Sequence, residues 1–355
     1  AAYADPKYAE DVKKIFEQYM YGFDKDWLFK KKPTDNYFEF KKQLEGFRFD
    51  NIAGGLQLYF EERLLDWFDY FLKNDLEHKT IIFSGGLSMN VKANLRLEKL
   101  CQKYGKEFYC APSGDDYSHA ISSAYAVYFQ EKYNKKFYFN DINLSRLDLG
   151  YFFSENDERK LIEWCHKLKY NVSKINLKQI SNSLQKGKVL ALCQGKAEFG
   201  ARALGFRSII ADPAKFETIN KINKAIKMRD FWMPFAPAIA KGHENNYYLA
   251  KNWKNHRFMA SSAETTKLGS EKLRAASHPY DNTIRPMIVT KENNEFFYNI
   301  INSFGNLSGT YALLNTSLNL HGLPIVNNAE DLIHVLKNSL IDGVITENYF
   351  VIKSD

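Results

Sequence analysis

The chain has 355 residues, 45% of them apolar and 15% aromatic, and a formal net charge of +7. That length gives room for two domains with separate cores, and that composition excludes a disordered chain. The mild positive charge suits an enzyme handling phosphorylated anions and equally suits a solvated lysine-rich surface, so a nucleic-acid partner is not expected.

No run approaches the roughly 20 apolar residues that span a bilayer, and no secretory signal precedes the fold, so no membrane partner is expected. Cys101, Cys110, Cys165 and Cys193 show no CxxC spacing, and two of them sit in apolar runs. This reads as a reduced, cytoplasmic protein. The chain begins AAYADPKYAE, without a methionine, which reads as a cut start.

Residues 8–20 and 50–73 carry apolar residues at helical spacing. In the second, Ile52, Leu56, Phe60, Leu64, Phe68 and Phe71 form a stripe that predicts a core face. Thr80-Ile81-Ile82-Phe83 then reads as a strand, followed by Gly85-Gly86 and a helix. Such a turn offers partnerless first-turn N–H groups to a phosphate, with a plain strand-to-helix turn as the equal alternative. A second strand over 107–110 leads into a polar turn and a small-residue helix. Asp115, Asp116 and His119 in that turn are candidate metal ligands, against helix capping by Asp116. Residues 132–145 read as an Asn- and Lys-rich linker.

The second half opens near Leu149, with Ser154 or Asn156 capping a helix through Leu168. Val189 to Cys193 suits a buried strand. The stretch behind it, GKAEFGARALGFRSIIADP, interleaves Lys196, Glu198, Arg202 and Arg207 with Gly195, Gly200 and Gly205. Glycines let a backbone approach a ligand, and arginine forks match phosphate or carboxylate oxygens, so the stretch is an anion-pocket candidate. A turn whose arginines pair with nearby carboxylates is the alternative. A helical stretch from Ala214 to Met228 carries Asn223 and brings Lys227 and Arg229 in front of Pro234-Phe235-Ala236-Pro237. Residues 242–280 are poorly periodic and read as a long excursion, a lid or a domain contact. HPYDNTIRP places Arg285 at a strand entry. NTSLN follows Leu313-Leu314 as a strand with a polar tip, where Ser317 and Asn319 face the same way.

Four motifs in order over about 170 residues (GKAEFGARALGFRSIIADP, Asn-x-x-x-Lys-x-Arg with PFAP, HPYDNTIRP and NTSLNLHGLPI) resemble the C-terminal domain of O-carbamoyltransferases of the nodulation-factor and antibiotic type. The resemblance implies an α/β fold in two parts. Residues 146–355 would form a YrdC-like domain with a twisted sheet. Residues 1–145 would form the C-terminal half of an actin- and sugar-kinase-like (ribonuclease-H-like) nucleotide-binding domain, whose pattern Gly85, Gly86, Asn90 and Asn94 meet.

By the same resemblance, Lys227, Arg229, Arg285, Ser317 and Asn319 would be catalytic. Lys196, Arg202, Arg207, Ser208, Asn223 and Asn315 would hold ATP and carbamoyl phosphate, and Asp116 would bind iron or another divalent metal. The family's paired metal histidines at HxxxH spacing have no match here, and Ser118 and Ser122 stand where glycines are usual. The resemblance therefore implies that the N-terminal half is absent or supplied by another polypeptide. Magnesium is expected on the triphosphate, with no ligand for it visible. The activity implied is ATP-dependent carbamoyl transfer to a hydroxyl of a sugar, glycan or natural product. The alternatives are a threonylcarbamoyl-adenylate-forming tRNA-modifying enzyme and a non-catalytic nucleotide-binding subunit.

Overall fold

A computed structural model describes residues 3–23, 29–133, 146–168, 170–223, 226, 234–249 and 253–354. By its contacts the chain divides into two compact units that no single cut separates. One comprises Ala1–Phe83, Lys92–Tyr109 and His278–Asp281, and the other comprises Ser84–Val91, Cys110–Ser277 and Asn282–Asp355.

In the first unit, α1 (Pro6–Tyr19) is capped by the Asp5 carboxylate and is followed by a hairpin, β1 (Tyr21–Phe23) and β2 (Phe29–Lys31). Then come α2 (Asn36–Leu44), α3 (Phe49–Asn74), β3 (Thr80–Phe83), α4 (Val91–Lys103) and β4 (Glu107–Cys110). The buried face of α3 differs from the predicted stripe. Leu64 and Phe68 are buried, but Leu56 and Phe71 are nearly half exposed. The face includes Gly54, Gly55 and Tyr59. Gly55 explains the shift, because a Cβ there would stand 2.6 Å from Val12 of α1. Close helix approach at a glycine outweighs the leucine and phenylalanine stripe. The β3–β4 sheet has two strands, and β3 exposes Ile82.

The second unit runs through α5 (Ser118–Tyr133), α6 (Glu155–Lys167), β5 (Asn171–Lys174), α7 (Leu177–Gln185), β6 (Leu190–Cys193), β7 (Arg207–Ala211) and α8 (Glu217–Ile222). It continues with β8 (Ala236–Ala240), α9 (Glu244–Tyr247), β9 (Tyr248–Leu249), β10 (Glu264–Thr265) and α10 (Lys267–Lys272). It closes with β11 (Met287–Val289), α11 (Lys291–Ser308), β12 (Ala312–Ser317), α12 (Ala329–Lys337), β13 (Gly343–Ile345) and β14 (Tyr349–Ile352). Ser154 caps α6 in a capping box with Asp157.

One mixed eight-stranded sheet, in the order β11-β8-β12-β7-β6-β13-β14-β5, organises this unit. The expected α/β class therefore holds. Residues of the central strands alternate between two cores. Leu190, Leu192, Ile210 and Leu313 meet α7 and α11 through Ile180, Leu184, Phe297 and Phe304. Ala191, Cys193, Ile209 and Leu314 meet α6 and α12 through Leu161, Leu332 and Leu336. The described helix in the 214–228 stretch is the short α8, and Lys227 and Arg229 lie outside the described residues. Residues 242–280 are not a structureless excursion. They carry α9, β9, β10 and α10, and Tyr247, Tyr248, Ala263 and Leu273 form a small core with Ile239, Ile284 and Ile288. Elements of two to six residues are too short to show a period in the sequence.

Among the described residues no helix is long and apolar enough to cross a membrane.

Candidate active site at the β6–β7 arch

β6 returns antiparallel as β7, with Cys193 opposite Arg207, so residues 194–206 close an arch between paired strand ends. The arch is held from within. Glu198, 6% exposed, accepts the N–H groups of Leu204 at 2.6 Å and Arg207 at 2.8 Å. Burial pushes its pKa up, opposed by those N–H donors and by the Arg207 charge. Arg207 is fully buried. Its guanidinium donates to the carbonyls of Val326, Gln194, Phe206, Tyr151 and Gly195 at 2.7–3.2 Å.

Those bonds occupy all three of its nitrogens, so Arg207 builds the arch and, contrary to expectation, has no side-chain nitrogen left for an anion. Ser208 and Asn315 have the same duty. The Ser208 hydroxyl accepts the Gly205 N–H at 3.1 Å, and the Asn315 amide donates to the Ala203 carbonyl at 3.0 Å. Asn315 Oδ1 is buried without a hydrogen-bond partner.

Two residues that sequence reasoning passed over complete the frame. The Gln194 amide donates to the Gly205 carbonyl at 2.7 Å and to Asn294 Oδ1 at 3.0 Å. Asn294 donates to the same Gly205 carbonyl at 3.2 Å and accepts the Phe297 N–H. Its backbone departs from helical geometry in the first turn of α11. The sequence signal was slight, an Asn one residue past the Asn293 that boxes the Thr290 cap.

The other two cations of the arch are less buried than Arg207. Lys196 is exposed and borders a cleft of about 570 Å³, with Arg146, Asp148, Phe152, Gln194 and Glu347 among its walls. Arg146 is committed to Asp148 through two N–H···O bonds at 2.9 and 2.5 Å, and Lys291 pairs with Glu295 at 3.3 Å. Arg202 is half-buried and donates to the Met89 carbonyl at 3.2 Å. Burial lowers its pKa, countered by Asp115 and Cys110.

Ser317 stands opposite Ser208 across β12 and β7, which brings the polar strand tip to the base of the arch. Its hydroxyl donates to Asn319 Oδ1 at 2.7 Å, and the Asn319 amide donates to the carbonyls of Leu320 and Leu323. Arg285 is half-buried just before β11. Asn223 is buried at the end of α8, its Oδ1 without a hydrogen-bond partner.

The Gly85-Gly86 segment is exposed. Gly85, at φ +96°, donates its N–H to the Gly114 carbonyl at 2.7 Å. Gly86 starts a 3₁₀ turn through Met89, ended by Asn90, which comes before α4. Asn94 lies buried on α4 in the first unit. Asp116 is exposed, and among the described residues no group of three or more His, Cys, Asp or Glu side chains could hold a metal ion. The described residues thus do not by themselves fit a metal at Asp116.

A mixed α/β unit with a polar, internally bonded arch and a cleft at its side is the class these observations define. Residues 181–353 match the family described as Carbamoyltransferase C-terminus, so this part of the chain resembles the C-terminal domain of carbamoyltransferases. The chain is 30% identical over 311 residues to the uncharacterized protein MJ1058 of Methanocaldococcus jannaschii, covering 85% of this chain and 49% of that one. It is 30% identical over 197 residues to nodulation protein NolNO of Sinorhizobium fredii, covering 55% and 29%. With the 3'-hydroxymethylcephem-O-carbamoyltransferase of Streptomyces clavuligerus it shares 27% identity over 172 residues, covering 48% and 32%. The chain spans about half the length of the curated relatives it matches most widely.

Proposed function

We propose that this chain carries the adenylate-forming part of an ATP-dependent O-carbamoyltransferase. The observation that carries the reading is the carbamoyltransferase domain match over residues 181–353, which contains the whole arch and the Ser317 strand tip. A relative named as an O-carbamoyltransferase supports transfer to a hydroxyl.

In this reading, water cleaves carbamoyl phosphate to carbamate and phosphate. A carbamate oxygen then attacks the α-phosphorus of ATP, the bond to the β-phosphate oxygen breaks, and pyrophosphate leaves. The acceptor hydroxyl next attacks the carbamoyl carbon and releases AMP, its proton passing to solvent or a base. Lys196 and Arg202 offer positive charge to phosphate oxygens from a frame that costs no reorganisation, the condition for electrostatic stabilisation of developing charge. Lys227, Arg229 and Arg285 would add cations, with Ser317 and Asn319 orienting the nucleotide. Magnesium would accompany the triphosphate. No step is assigned to a metal at Asp116. The acceptor is a hydroxyl of a sugar, glycan or other natural product.

The test is pyrophosphate release from ATP. Release that requires carbamoyl phosphate is the expected result, whereas release driven by threonine and bicarbonate would move the chain to tRNA-modifying chemistry. ATP binding without turnover would favour a nucleotide-binding subunit.

A further inference from the structure

The arch buries an anion among its cations. Glu198 lies between Lys196 and Arg202 in sequence, yet it points inward, and both its oxygens are taken by backbone N–H groups from the returning limb. The outgoing limb is tied separately. Ala197 donates its N–H to the Tyr151 carbonyl at 2.9 Å, Phe199 donates to the Leu147 carbonyl at 2.6 Å, and Phe152 bridges to Lys196. Among the described residues, the Glu198 carboxylate is thus a side-chain tie between the two limbs that bear Lys196 and Arg202. Gln194 and Arg207 also join the limbs, at the foot of the arch next to the paired strand ends, whereas Glu198 joins them beyond Lys196; Asn294, Ser208 and Asn315 grip Ala203–Gly205 from outside the outgoing limb.

We infer that Glu198 is a positioning residue for anion binding, setting the direction of Lys196 at the cleft by clamping the returning limb to the outgoing one. It touches no ligand itself, and its effect passes through Lys196. Glutamine at this position keeps the volume, but one oxygen becomes an NH₂ that must face a backbone N–H, so one limb of the clamp opens.

The inference rests on the anion-handling reading above, and the test separates the two. Inorganic pyrophosphate is titrated into the full chain by calorimetry, well below each variant's melting temperature. Wild type is expected to bind, with Glu198→Gln and Lys196→Ala each weakening Kd about tenfold or more. The double variant is expected to be no weaker than Lys196→Ala, because the clamp acts through that lysine.

Failure of wild type to bind would remove the anion reading and this inference together. Wild-type affinity in Glu198→Gln, or full additivity in the double variant, would overturn the inference alone and leave Glu198 a purely structural group. If Glu198→Gln does not fold, Glu198→Asp keeps the charge with a shorter reach. An intermediate Kd is then expected, and wild-type affinity would overturn the clamp.

Discussion

Two glycine-marked strand exits in this chain are built in opposite ways. In the β6–β7 arch, Gly205 at φ +85° is packed so tightly that a Cβ would stand 2.3 Å from the Phe297 ring, and its own N–H and carbonyl are bonded by Ser208, Gln194 and Asn294. At the exit of β3, Gly85 and Gly86 have nothing within 4 Å of an added Cβ. Gly85 is held by a backbone bond to Gly114. The same residue type therefore serves close packing in one loop and conformational freedom in the other. The arch is preorganised by a buried network, and the Gly85-Gly86 segment is an open turn.

The largest difference between the two loops should come from removing Arg207, the hub of the arch. Arg207→Ala should take a donor from five carbonyls, three of which (Tyr151, Gly195 and Phe206) keep a backbone N–H, and should leave Glu198 without its counter-charge, costing about 3–5 kcal/mol. Chemical denaturation would show it as a lower midpoint.

Acid should separate the two regions next. Burial drives His256 down to about 4, its Nδ1 lying 3.1 Å from the Tyr248 hydroxyl. Its neighbour Asn255 holds the Cys110 N–H at the entry to the turn that reaches Gly114. Because the folded state favours neutral His256, its stability is complete above about pH 6.5 and is lost as pH falls towards 4, on the order of 3 kcal/mol at the end. Glu198 has the opposite sign, since a raised carboxylate pKa adds stability as pH falls. Melting curves from pH 7.5 to 4.5 should therefore slope downward, and His256→Phe should flatten them.

The glycines themselves give the smallest effects. Gly205→Ala should cost about 2–3 kcal/mol through the Phe297 clash and positive φ, and Gly86→Ala less than about 1 kcal/mol. Equal costs would mean that the two loops are not differently built.

Much of the frame was legible in the sequence. Thr80–Phe83, the run ending at Cys193, Leu313-Leu314 with its polar tip and the Ser154 cap carry local signals strong enough to survive tertiary packing, and each appears as an element. The duties of the arch residues were not legible. Lys196, Arg202, Arg207 and Ser208 form one polar stretch, and nothing in their spacing shows that Arg207 and Ser208 are spent on backbone while Lys196 faces the cleft. That sorting depends on Asn294, Asn315 and Val326, about 90 to 120 residues away. The core face of α3 was misread for the same reason, since the contact of Gly55 with Val12 crosses between helices.

Pyrophosphate release from ATP, with and without carbamoyl phosphate, tests the proposed formation of a carbamoyl adenylate. Release that depends on carbamoyl phosphate is expected in the wild type and should disappear in Lys227→Ala and Arg285→Ala. A folded, ATP-binding chain that releases no pyrophosphate, or variants that release it as the wild type does, would overturn the adenylate-forming reading.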